Sequence, residues 1–106
     1  MHELCRLSDI NDLHSKGFEL GETKIFVIRQ GNQVHVYHNH CPHLGIALEW
    51  LPDKFLDIDG ELIQCSTHGA LFTIEEGLCV SGPCSGQSLK SITSKIVDGA
   101  VFIELP

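Results

Sequence analysis

A chain of 106 residues with 42% hydrophobic and 20% charged side chains has the make-up of an ordinary folded domain, with room for one modest core and not for two. Seven Lys and Arg against fourteen Asp and Glu leave a net charge of −7, which excludes the clustered cationic surface that nucleic-acid binding requires. No stretch reaches the apolar length of a membrane span and the opening residues carry no basic-then-apolar leader, so a cytoplasmic protein that does not enter the membrane is expected.

Taken in chain order, Ser8 before Asp9 predicts an N-cap on a short helix or helical turn over 9–13, closed by Gly17. Residues 24–30 and 33–39 are β-rich runs separated by Gly31-Asn32, which predicts two antiparallel strands and a tight turn. Residues 48–60 break that rhythm: large apolar side chains alternate with acids, and Pro52 interrupts any helix, so the segment is read as an ordered loop in which Trp50, Phe55 and Leu56 are apolar anchors. Short strands are expected around 62–64 and 70–74. The Glu75-Glu76-Gly77 turn then leads into Leu78-Cys79-Val80, and residues 89–97 are expected to pair with 100–105 across Asp98-Gly99. Many short strands, frequent turns and little helix make the fold all-β, an antiparallel sandwich or barrel.

Five cysteines in a reducing compartment point to metal binding or redox chemistry before a disulfide framework, and an odd count leaves at least one thiol outside any internal bridge. Two short clusters carry the chemistry: Cys41-Pro42-His43-Leu44-Gly45 and Cys65-Ser66-Thr67-His68-Gly69. Each supplies one soft thiolate and one imidazole within a few residues, followed by a glycine that lets the backbone turn close to a metal. Given this composition, a Cys-x-His and a Cys-x-x-His pair arise together by chance about one time in ten. The turn glycines, the preceding β-rich runs and a third loop at Ser81-Gly82-Pro83 strengthen the signal.

On these residues the chain resembles the Rieske family, whose pattern is Cys-x-His followed at a distance by Cys-x-x-His. The resemblance extends through Gly69, Ala70, Leu71, Phe72, Gly77, Gly82, Pro83 and Leu89, and it covers the chain from about Val34 onward. It implies a Rieske-like antiparallel β-sandwich over residues 1–106, with a small cluster-binding subdomain at about 39–84 made of two ligand loops and a proline loop at Gly82-Pro83. It also implies one [2Fe–2S] cluster, with Cys41 and Cys65 on one iron and His43 and His68 on the other. The 21 residues between His43 and Cys65 exceed the spacing usual in the family, which loop-closure entropy tolerates at little cost.

The resemblance further implies an electron-transfer protein working between a reductase and an oxygenase, without substrate chemistry of its own. A redox subunit of a larger reductase, of the nitrite reductase type, is an alternative. A structural zinc module is another, because Cys2His2 is also a sound zinc set. Two ferric ions, two sulfides and two thiolates sum to about zero charge with neutral imidazoles, against about −2 with four thiolates, so the mixed site accepts an electron more readily. High-potential members carry a disulfide between their ligand loops and hydroxyl donors after the second ligand pair. Here Ile46, Thr67, Ala70 and Phe72 stand at those positions, which implies a potential at the low end of the Rieske range.

Strand alternation puts His38 and His40 on the face of Val34 and Val36, so packed or hydrogen-bonded histidines are expected. Cys79 and Cys84 bracket the proline loop as Cys-x4-Cys and are expected to be buried thiols, and Cys5 a small residue on an early strand. Glu49, Asp53, Asp57, Asp59 and Glu61 make either a solvated loop or an acidic docking patch for a basic redox partner.

Overall fold

The computed structural model describes residues 2–40, 55–56, 60–65, 69–82 and 85–104. Among the described residues ten strands run in the order β1 (His2–Arg6), β2 (Ser15–Leu20), β3 (Thr23–Gln30), β4 (Gln33–His38), β5 (Leu62–Gln64), β6 (Leu71–Thr73), β7 (Cys79–Ser81), β8 (Ser91–Ile92), β9 (Ser94–Val97) and β10 (Ala100–Ile103). They form three antiparallel sheets, β1-β10-β9, β2-β3-β4-β8 and β5-β6-β7. The fold is the antiparallel all-β architecture expected from the sequence.

Strand β3 explains how the sheets assemble. Ile25, Phe26, Val27 and Ile28 are all fully buried, and such a continuous apolar run marks a strand covered on both faces. Alternation sends Phe26 and Ile28 into one cluster with Tyr37, Phe55, Ile63, Phe72 and Leu89. Ile25 and Val27 enter another with Ile10, Val36, Ile92 and Ile103. The central sheet therefore packs against β5-β6-β7 through one face and against β1 and β10 through the other.

The hairpin turns follow glycine chemistry. Gly31 occupies the first central position of the β3–β4 turn at φ +62°, while Asp98 and Gly99 both take positive φ, +51° and +77°, between β9 and β10. Gly21, at φ +65°, makes a further two-residue turn between β2 and β3.

Two expectations are corrected. The helix or helical turn expected over 9–13 is a single 3₁₀ turn displaced to Leu7–Asp9, and Gly17 lies inside β2 opposite Phe26. The carbonyls that a helix would use are taken elsewhere: the Arg29 guanidinium donates to Ile10 O at 2.8 Å and Leu7 O at 3.3 Å. The Asp12 carboxylate accepts from Gly31 N at 2.7 Å, and Leu13 sits at φ +61°. The run 89–97 also divides at Thr93, with β8 pairing to β4 and β9 to β10.

Candidate metal centre

The loop of the second Cys/His motif follows the first strand of the β5–β6 pair. Leu62 pairs with Thr73, Ile63 with Phe72 and Gln64 with Leu71, so the strands bring Cys65 to the point where the loop leaves the sheet. Cys65 N donates to Ala70 O and Gly69 N to Cys65 O, both at 2.8 Å, closing the loop at its base. Gly69 takes φ +69°, which an L side chain rarely adopts. Cys65 is fully buried beside Ile63, Ala70 and Phe72.

Downstream, Gly82 lies directly against Ala70. At Gly82, φ is +106° and a Cβ would stand 2.8 Å from Ala70 Cα, so only glycine permits the close approach. Ser85 N and Oγ both donate to Gly82 O, at 3.3 and 2.9 Å, holding the loop in its turn. Leu78 bridges to Ser88, and Cys79 N donates to Gln87 O at 2.8 Å, tying the segment that follows the loop back to the sheet that supports Cys65.

Of the sequence-predicted features, the structure brings Cys65, Gly69, Ala70 and Gly82 into one corner. Cys41, His43, His68, Pro83 and Cys84 lie outside the described residues, as do Trp50, Glu49, Asp53, Asp57 and Asp59. Phe55 is fully buried and stacks on Phe26, ring centroids 4.3 Å apart, and Leu56 bridges to Ile63; the two anchors pack as expected. Cys79 is buried, its thiol donating to Ser81 O at 3.2 Å, and Cys5 is half-buried on β1. His40 corrects an expectation: it is exposed, because the chain leaves β4 after His38 and turns at buried Asn39, whose N donates to Lys24 O at 2.8 Å.

Tyr37 was not read as a site residue, yet it joins the central sheet to the β6–β7 turn. Its hydroxyl donates to Ile74 O at 2.5 Å. Burial, followed by the Glu75 and Glu76 carboxylates, pushes the phenol up to about 12, so it stays a neutral donor. Gly77 accepts the ring edge where a Cβ would stand 2.7 Å from Tyr37 Cε1. His38 is lowered, first by burial and then by Lys90 and His40. Burial, then the Asp9 carboxylate, raises the Cys5 thiol.

Residues 1–96 match the family described as the Rieske [2Fe-2S] domain. The chain belongs to this family. A Rieske domain takes one [2Fe–2S] cluster as its cofactor. The domain is 29% identical over 98 residues to the cytochrome b6-f complex iron-sulfur subunit of Chlorobaculum tepidum, covering 92% of this chain and 50% of that one; it thus spans half the length of that relative. It is 28% identical over 101 residues to the ferredoxin component of the alkene monooxygenase system of Xanthobacter autotrophicus, covering 95% and 78%. The solved ferredoxin of Sphingomonas yanoikuyae B1 superposes with a TM-score of 0.78 at 27% identity, over 99% of this chain and 98% of the other.

The surroundings of Cys65, the one motif cysteine or histidine among the described residues, fit the cluster. A buried thiolate is costly unless a cation neutralises it, and Cys65 is a buried thiol at the neck of a glycine-closed loop. Gly82 brings a second backbone segment against that loop where a side chain would intervene. This suits a group held by soft donors and shielded from water.

Proposed function

We propose that this Rieske domain is an electron-transfer protein that receives one electron from a reductase and delivers it to an oxygenase, without substrate chemistry of its own, and that Cys41, His43, Cys65 and His68 hold its cluster. Residues 1–106 then form one domain with the cluster-binding part at about 39–84, and a cytoplasmic location belongs with this reading. The observation that supports it is the corner of Cys65, Gly69, Ala70 and Gly82, in which buried Cys65 is tied by backbone hydrogen bonds to Gly69 and Ala70, and Gly82 packs against Ala70. The alkene monooxygenase relative, a ferredoxin component of an oxygenase system, supports the choice of partners.

When bound, the cluster supplies a one-electron redox couple. The chain's own residues set its surroundings. Ile63 and Phe72 exclude water from Cys65, and the Gly69 and Gly82 turns bring backbone rather than side chain to the site. Ala70 and Phe72 are fully buried and have no hydroxyl to offer, so the reduced state gains no side-chain hydrogen bond from either. The potential is therefore placed at the low end of the Rieske range of roughly −150 to +300 mV; a midpoint well above zero would contradict it.

Protein purified without chelators is expected to be red-brown, with about two irons and two acid-labile sulfides per chain. Its reduced form should give a rhombic EPR signal whose average g value lies below that of the free electron. A colourless protein carrying zinc as its sole metal would overturn the reading.

A further inference from the structure

Lys90, His38, His40 and Ser88 line one cleft of about 280 Å³ on the surface of this otherwise acidic chain. It lies at the seam between two sheets: His38 N donates to Lys90 O at 2.9 Å, joining the end of β4 to the segment before β8, and Ser88 bridges to Leu78 beside β7. His40 directly precedes Cys41 in the chain. The cleft gathers one ammonium, two imidazoles and a hydroxyl, all able to donate hydrogen bonds to an anion.

The cleft has no internal counter-charge among the described residues. Lys24 is paired with Glu19 at 3.7 Å, whereas Lys90 has no carboxylate within 4 Å among the described residues. The Lys90 ammonium supplies the cleft's positive charge, with the His38 ring and the Ser88 hydroxyl beside it. The arrangement is complementary to a carboxylate and leaves room for one.

We propose that this cleft is a docking socket for a carboxylate side chain of the redox protein with which the domain exchanges its electron. The proposal rests on the electron-transfer reading. A positive socket on a chain of net charge −7 orients encounter, since only one face attracts an acidic partner side chain while the remainder repels it.

The test uses the cluster-loaded protein and two probes. Carbodiimide coupling to an acetylated, amidated tetraglutamate peptide at low ionic strength should label Lys90 at least about threefold more than Lys24 or Lys95. In stopped-flow oxidation of the reduced protein by ferricyanide, an anionic acceptor, Lys90→Glu should slow the rate at least about threefold more than the charge-matched Lys95→Glu on β9, with the difference vanishing at high salt. Equal labelling of the three lysines, or equal slowing by the two variants, overturns the socket. Lys90 is exposed, so the variant is expected to fold, and unchanged visible absorption confirms it. Loss of the iron–sulfur spectrum from the unaltered protein would instead remove the electron-transfer reading, and the two failures are thereby told apart.

Discussion

The central sheet and the sheet beneath Cys65 are built from the same residue types but stand on different footings. Strands β2, β3 and β4 are six, eight and six residues long, joined by two-residue turns and paired along their whole length. Strands β5, β6 and β7 have three residues each, too short to be stable by themselves. What orders the short sheet is packing: Phe72 and Ile63 lie in one cluster with Phe26, Phe55 and Tyr37 from the central sheet and the entering loop. The region that carries Cys65 thus borrows its rigidity from the central sheet.

The sharpest way to break that dependence is Phe26→Ala. Phe26 belongs to the central sheet, yet its ring stacks on Phe55, so its loss should cost about 3–5 kcal/mol in denaturant unfolding and weaken cluster retention with it. Gly82→Ala should act more locally. With φ at +106° and a Cβ 2.8 Å from Ala70 Cα, a cost of roughly 1–3 kcal/mol falls on the loops. Visible absorbance should then be lost at lower denaturant than far-UV circular dichroism.

Tyr37→Phe removes the bond to Ile74 O that ties the two regions together and should cost about 1–2 kcal/mol. The same residue gives a pH signature. A phenol raised from 10 to about 12 in the fold binds its proton more tightly there than in the unfolded chain. Its contribution is complete below pH 10 and lost as pH rises toward 12. That alkaline loss should be absent in Tyr37→Phe. The smallest effect is expected from Ala70→Ser combined with Phe72→Tyr, which should raise the midpoint potential by something on the order of tens of millivolts while leaving the central sheet unchanged.

The contrast also explains what could be read from the sequence. The β3–β4 hairpin and the Asp98-Gly99 turn were legible because a two-residue turn and its flanking strands are contiguous in the chain. Cys65, Gly69 and Gly82 were legible as motif residues for a similar reason. The helical turn near Ser8 was legible but misplaced, because Ser8 and Asp9 signal locally, whereas the Arg29 guanidinium that claims the Leu7 and Ile10 carbonyls arrives from β3. Tyr37 and the cleft of His38 and Lys90 went unread because their partners, Ile74 and the segment before β8, are distant in sequence. The split at Thr93 is likewise a tertiary decision: both halves look β, and only the neighbours β4 and β10 determine which sheet each joins.

The central claim is that two thiolates and two imidazoles, from Cys41, Cys65, His43 and His68, hold the cluster. Pulsed EPR of the reduced protein, prepared with and without ¹⁵N-labelled histidine, tests it most directly. The account predicts strong couplings from two histidine nitrogens, with one of the two couplings changed or lost in His43→Cys and likewise in His68→Cys. A reduced cluster without histidine nitrogen coupling would contradict it.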